Sequence, residues 1–172
     1  MHDTRLENML GALALSVTDL ALVGITSAAA TSASGAAALV VLSAAPGLSV
    51  TELGRRVGLS QPAAARMVDA LQRAGLVERR DTATRSVAVH PTEEGSAAAE
   101  HILGARAGRL TAFTDALEPA EREVLAGLVE KLLAAVYRQV RDAERVCRLC
   151  DRAVCDACPV GAACRNAGAE GG

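Results

Sequence analysis

A run of local signals between residues 48 and 91 constrains this chain more than any other part of it. Ser49 and Glu52 have the spacing of a capping box, in which each side chain accepts a backbone N–H at the start of a helix. Gly58 is expected to end that short helix, because glycine readily adopts the left-handed conformation found just after helix ends. The pattern therefore predicts a helix of about two turns followed by a tight turn.

A second helix and a hairpin are predicted to follow directly. Ser60 is the expected N-cap of the second helix, with Pro62 inside its first turn and Gly75 just after its end. Residues 76–80 and 86–90 favour two short strands, the second of which alternates polar and apolar side chains. Two helices joined by a tight turn and followed by a hairpin are the parts of a winged helix-turn-helix.

The second helix has two different faces. Its apolar face is predicted to pack inward and consists of Ala64, Met67, Val68 and Leu71. The opposite face, which can meet a DNA major groove, is formed by Gln61, Pro62, Ala65, Arg66 and Asp69. Ser60, at the start of the helix, is also expected to contact DNA. Glutamine and arginine have the donor and acceptor geometry to recognise adenine and guanine edges.

Charge supports a nucleic-acid partner locally but not globally. Residues 49–91 contain seven Arg and four acidic residues, a local charge of +3, whereas the whole chain carries −2. The predicted hairpin places Arg79, Arg80, Thr84 and Arg85 where a wing would follow phosphates or enter the minor groove. We therefore predict that residues 48–91 form a DNA-binding unit, called here the reading head.

The reading head resembles the winged-helix core of the MarR family of bacterial regulators. The resemblance is carried by residues 48–80, LSVTELGRRVGLSQPAAARMVDALQRAGLVERR, and by residues 87–95, VAVHPTEEG. It implies a homodimer, formed by the first and last helices, whose two heads bind successive major grooves of a pseudo-palindromic operator. Two departures reduce the expected DNA contacts: Thr84 stands where the family usually has Asp before the wing arginine, and Ala65 where many members have Ser or Thr.

Long helices are predicted on both sides of the reading head. Composition favours them, because 37 residues are Ala and only Phe113 and Tyr137 are aromatic. Apolar residues recur at helical spacing in residues 6–23 and 125–140, which predicts dimerisation helices at about 4–30 and 96–146. The fold class is therefore mainly α (α+β), with residues 1–146 forming one winged helix-turn-helix domain.

The chain is expected to be cytoplasmic and to have no membrane span. Residues 20–51 lack charged side chains, but Ser, Thr and Gly interrupt the run. The acidic N-terminal residues do not resemble an export signal. No nucleophile–base pair, phosphate loop or carboxylate dyad is visible in the sequence, so we expect no enzymatic activity.

All five cysteines lie in the tail, residues 147–172, whose end is expected to be flexible. Cys147, Cys150, Cys155 and Cys158 have the spacing C-x2-C-x4-C-x2-C, followed by Pro159. Each C-x2-C pair can bring two thiolates to one metal, and the short spacer allows the pairs to meet. The spacing therefore predicts a metal centre; a disulfide or simple thiol redox site is the alternative, which a cytosolic location disfavours.

The metal itself stays open between an iron–sulfur cluster and zinc. A Cys-Pro pair and a fifth thiol, Cys164, that could exchange as a ligand favour the cluster, although Cys164 can equally be a free surface cysteine. The MarR resemblance also extends to members of actinobacterial character with a similar Cys-Arg-Leu-Cys-Asp tail. Zinc would bind four thiolates and fix the tail structurally.

The sequence as a whole predicts a dimeric, sequence-specific transcription regulator that senses redox or metal state through its cysteines. One alternative is a regulator with a structural zinc tail that responds to a small-molecule effector. The alternative from another class is an iron–sulfur or thiol electron-transfer protein. Because no Gly- or Pro-rich linker precedes Cys147, ligation is expected to act through the last dimerisation helix.

Overall fold

The structure, a computed structural model, describes residues 4–29, 31–81, 87–155 and 158–169. These residues form eight helices and one two-stranded sheet in this order: α1 (Thr4–Ala29), α2 (Ala33–Ala44), α3 (Val50–Val57), α4 (Gln61–Arg73), β1 (Val77–Asp81), β2 (Val87–Pro91), α5 (Glu93–Thr114), α6 (Pro119–Val140), α7 (Ala143–Val146) and α8 (Pro159–Ala169). The mainly helical fold class, with a small sheet, is confirmed.

Helix α2 is the centre of the hydrophobic core. Every residue from Gly35 to Leu42 is buried, so the helix contacts protein on all sides. Helices α1, α3, α4 and α5 and strand β2 pack around it. This placement explains the long uncharged run in the sequence, because a helix buried all round has no face for charged side chains.

Helices α3 and α4 form the expected pair around a glycine turn. Gly58 has φ 78° and ends α3, and a Cβ added at Gly54 would lie 2.6 Å from the Cβ of Ala64. Only half of the expected capping box forms: the Ser49 hydroxyl accepts the Glu52 N–H, but the Glu52 carboxylate binds arginines instead. Ser60 occupies the N-cap position of α4, but its side chain makes no capping hydrogen bond.

Strands β1 and β2 form an antiparallel wing that is tied to the helices at its base. Leu48 bridges to Val89 of β2, and the Val89 N–H donates to the Leu48 carbonyl at 2.8 Å. On the other side, the Thr92 hydroxyl donates to the Gly75 carbonyl at 2.7 Å and accepts the Gly95 N–H at the start of α5. These bonds fix the wing relative to both α4 and α5.

Helix α6 contributes little to the core of its own chain. It packs against α7 and α8, and Tyr137 is its one residue that is buried. Seven large apolar side chains of α6 are exposed: Val124, Leu125, Leu128, Val129, Leu132, Val136 and Val140. Helix α1 packs along α5 but exposes its own apolar stripe, Leu6, Leu10, Leu13, Leu20 and Val23.

The N-terminal helix contains the one candidate membrane span within the described ranges. Residues Thr4–Thr26 are long and apolar enough, by length and composition alone, to cross a membrane. The uncharged segment considered in the sequence, residues 20–51, is not the segment that meets this criterion. The middle of that segment is α2, which lies in the protein core.

The end of the body departs from the sequence-based expectation. Helix α6 does not continue toward Cys147 but ends at Val140, where Arg141 adopts a left-handed conformation with φ 51°. Asp142 then caps the one-turn helix α7, accepting the Arg145 N–H at 3.1 Å. Helix α8, which was not expected from the sequence, follows Cys158 and packs against α6.

Candidate nucleic-acid interface and cysteine cluster

The two faces of α4 are arranged as the sequence predicts. The four apolar residues, Ala64, Met67, Val68 and Leu71, are buried, and Met67 is the most accessible of them at 8%. On the opposite face Ser60, Gln61, Pro62 and Arg66 are exposed and Ala65 is half-buried. Arg66 has no hydrogen-bond or ion-pair partner among the described residues. Its guanidinium is therefore available to a ligand outside the chain.

The two described wing arginines are already paired within the protein. Arg79 donates to the Asp69 carboxylate at 2.7 Å and to the Gln72 side-chain oxygen at 2.5 Å, which ties β1 to α4. Arg80 pairs with Glu78 on the same exposed face of β1. Thr84 and Arg85, the predicted wing-tip residues, lie outside the described residues. The DNA contacts of all these residues stay predictions.

Four of the five cysteines line one cavity, as their spacing suggests. The cavity has a volume of about 200 Å³ and is bounded by Cys147, Cys150, Cys155 and Cys158, together with Glu144 and Arg152. In the described part of the chain, no three His, Cys, Asp or Glu side chains converge as the ligands of one metal ion do. The metal centre therefore stays a prediction.

The environments of two of these thiols differ. Burial, together with the neighbouring Cys150 and Cys158, raises the pKa of Cys147 to about 12. Burial acts to raise the pKa of Cys158, but backbone N–H groups of Gly161 and Val160, together with hydrogen bonds from Cys155 and Cys147, lower that pKa overall. The Gly161 N–H donates to the Cys158 sulfur at 3.4 Å. Cys158 stands at the start of α8, where N–H groups stabilise a thiolate.

The fifth cysteine stands apart from this cavity. Cys164 is exposed on α8, and its thiol forms a hydrogen bond with Tyr137 of α6 that raises the pKa of the tyrosine. Cys164 is not among the residues that line the cavity. This placement favours the interpretation of Cys164 as a surface cysteine over that of a spare ligand.

An ion-pair network between α3 and residues 142–144, just before the tail, was missed in the sequence. The Glu52 carboxylate accepts from Arg55 and Arg56 at 2.9 and 2.8 Å, and these bonds lower the pKa of Glu52 to about 2. Asp142 and Glu144 pair with the same two arginines from the tail side. The ion pairs of Glu52 with arginines three and four residues later could have been found from the helical spacing. The pairs with Asp142 and Glu144 could not, because these residues are distant in sequence.

A tightly turned helix pair, a basic wing anchored to it, and long flanking helices define this chain as a winged helix-turn-helix protein. The family model that matches residues 35–85 is that of the MarR family. Solved structures of MarR family proteins share the fold over most of the chain.

Three of these structures come from different bacteria. A MarR family protein from Bacillus stearothermophilus is 23% identical and has a TM-score of 0.68, covering 77% of this chain and 95% of its own. A MarR family transcriptional regulator from Silicibacter pomeroyi is 26% identical with a TM-score of 0.58, covering 76% and 92%. A Mycobacterium tuberculosis MarR family protein, solved with p-aminosalicylic acid, is 25% identical with a TM-score of 0.56, covering 72% and 97%.

The resemblance to the MarR family that was stated from residues 48–80 and 87–95 is thereby confirmed, with the family model matching over residues 35–85. Proteins of this family are transcription regulators and not enzymes, in agreement with the prediction made from the sequence.

Proposed function

We propose that this protein is a dimeric, sequence-specific DNA-binding transcription regulator of the cytoplasm. The observation that carries the proposal is the geometry of α4, whose apolar face is buried while its opposite face exposes Arg66, which has no partner in the described part of the chain. A helix held in this way can enter a major groove and present side chains to base edges. Arg79 supports it by holding the wing against α4, which fixes the angle between the two elements.

The dimer is proposed from the apolar faces that α1 and α6 leave exposed. Leu13 and Leu128 are more than half accessible in the single chain, at 56% and 51%. Contiguous apolar surface of this kind marks an interface, and MarR family regulators bind DNA as dimers. A two-fold dimer would place two α4 helices about one turn of DNA apart, to match a pseudo-palindromic operator.

Substitution of Arg66 tests the proposed DNA contact. An operator is first selected from a random duplex library with the full-length protein. Arg66→Ala should then weaken operator binding by about 1–3 kcal/mol and relax the preference at one base position. Arg73→Ala, at the other end of the same helix, is the matched control and should cause a smaller loss that is equal for all sequences. Unchanged affinity and base preference in Arg66→Ala would show that α4 does not recognise bases in this way.

We also propose that Cys147, Cys150, Cys155 and Cys158 bind a metal centre through which the regulator senses metal or redox state. The four thiols border one cavity, and thiolate sulfur suits both zinc and iron–sulfur clusters. N–H groups directed at the Cys158 sulfur suit a ligand that carries negative charge. The Cys158–Pro159 pair favours an iron–sulfur cluster over zinc.

The metal content of cysteine variants tests this second proposal. Replacement of any of the four cavity cysteines by Ser should abolish metal binding in anaerobically purified protein. Cys164→Ser is the matched control and should retain the metal, because Cys164 lies outside the cavity. Absorption at ~400 nm together with bound iron would identify an iron–sulfur cluster. Colourless protein that contains zinc would identify a zinc site instead. Metal-free wild-type protein would overturn the proposal.

A small-molecule effector is a second candidate input. The Mycobacterium tuberculosis relative was solved with p-aminosalicylic acid. In the present chain a cavity of about 340 Å³ lies where α2 and α5 meet the cysteine segment, bordered by Val40, Ser43, Leu103 and Arg152. Release of the selected operator by p-aminosalicylate would support an effector role, and unchanged binding would argue against this ligand.

A further inference from the structure

Residues 141–149, which join the body to the tail, dock directly on the reading head of their own chain. The left-handed Arg141 ends α6, and the following α7 packs against α3. The Arg145 side chain lies beside the turn between α3 and α4, with its Nε 3.1 Å from the position of a Cβ on Gly58. Leu149, between the first two cysteines, packs against the hydrophobic core. The cysteine segment therefore contacts the helix-turn-helix itself.

Two ion pairs join the docked segment to α3. Arg55 Nη1 lies 2.7 Å from the Asp142 carboxylate, and Arg56 Nη1 lies 3.2 Å from the Glu144 carboxylate. The side chain of Arg56 is only 18% exposed, so solvent screens this pair less than a fully exposed one. Glu52, on the same helix, accepts hydrogen bonds from both arginines and so restricts the positions of their side chains.

The same Glu144 also contacts the cysteine segment. Its carboxylate accepts from Arg152, which lies between Cys150 and Cys155, while also accepting from Arg56. Glu144 and Arg152 both border the cavity that the four cysteines line. A metal held by four thiolates carries net negative charge, which would attract Arg152 and repel Glu144. Occupation of the cavity would therefore shift Glu144 and change its ion pair with Arg56.

We propose that Asp142 and Glu144 are positioning residues that couple the cysteine cavity to α3 of the same chain, so that metal occupancy changes how the reading head is held. The inference rests on the proposed metal centre. It differs from the route expected from the sequence, which ran through the last dimerisation helix, because α6 ends at Val140 and the following α7 packs against α3.

Hydrogen exchange of the full-length protein tests the coupling without requiring an operator. The probe is Zn²⁺ added to metal-free, reduced protein, since four thiolates bind zinc even where a cluster is the native occupant. Zinc should change the exchange rates of amides in residues 53–58 by about fivefold or more. Glu144→Gln should remove this response while still binding zinc.

Two further variants serve as a graded test and a control. Asp142→Asn removes the ion pair with Arg55 but keeps a side chain that caps α7, so it should weaken the response without unfolding the segment. Asp115→Asn breaks the Asp115–Arg122 pair, 3.2 Å long and remote from the tail, and should respond like wild type. A general effect of losing one surface charge would weaken the zinc response equally in Asp142→Asn and Asp115→Asn, so a difference between them points to the ion pair with Arg55.

The outcomes separate the two proposals. If wild type binds zinc and Glu144→Gln shows the full α3 response, the coupling is overturned and the metal centre stands. The coupling is likewise overturned if zinc binds to wild type without any change in α3. If wild type binds no zinc, the metal centre is overturned and the coupling with it.

Discussion

Gly95 shows how a single residue fixes the wing relative to the body. A Cβ at this position would lie 1.9 Å from the Leu76 carbonyl oxygen, which is backbone and cannot move aside without shifting β1. Gly95→Ala should therefore destabilise the protein by about 1–3 kcal/mol, as overpacking does. Urea unfolding at fixed protein concentration measures the change.

Gly104→Ala, on the same helix, is the matched control for that substitution. No atom of the described residues lies within 4 Å of a Cβ at Gly104, so alanine should raise the free energy of unfolding by about 0.5–1 kcal/mol through its helix propensity. Equal effects of the two substitutions would contradict the close approach of Gly95 to the wing.

At the scale of elements, the ion pairs that Glu52 forms within α3 should make the stability of the fold respond to acid. The pKa of Glu52 is lowered from 4.5 to about 2 by its bonds to Arg55 and Arg56. A carboxylate whose pKa is lowered in the folded protein stabilises the fold at pH values above its pKa in the unfolded chain. This contribution is lost as the pH falls from about 4.5 toward 2. Wild type should therefore lose more stability between pH 5 and pH 3 than Glu52→Gln does.

The urea midpoint at the two pH values measures this difference. Glu123→Gln, on the exposed side of α6, is the control and should follow wild type. A Glu52→Gln variant that loses as much stability as wild type over this interval would show that the carboxylate does not stabilise the fold through these arginines.

Elements with a strong local signal were predictable from the sequence, and contacts distant in sequence were not. The helix bounds around Gly58 and the inward face of α4 follow from capping residues and periodicity, and both are confirmed. The end of α6 was missed because residues 141–142, Arg-Asp, contain neither the glycine nor the proline that usually marks a helix end. Asp142 and Arg55 are 87 residues apart in the sequence, so no local pattern could predict that they pair.

At the scale of the whole molecule, the dimer should depend on the exposed faces of α1 and α6. Leu128→Glu places a charge on the apolar face of α6 and should halve the mass seen by light scattering, from twice the 17.6 kDa chain mass to that mass. Val154→Glu, an exposed position in the cysteine segment, is the control and should leave a dimer. A wild-type monomer would contradict the dimer. Protein that requires detergent to stay in solution would instead favour a membrane role for α1.

The central claim is that two reading heads in one dimer recognise a specific DNA sequence. The most direct measurement is the affinity of the full-length dimer for its selected operator and for a scrambled duplex of equal length, across a range of salt concentrations. We expect the operator to bind at least about 10³-fold more tightly at physiological salt, with affinity for both duplexes falling as salt rises. Equal affinity for operator and scrambled duplex at every salt concentration would contradict this claim.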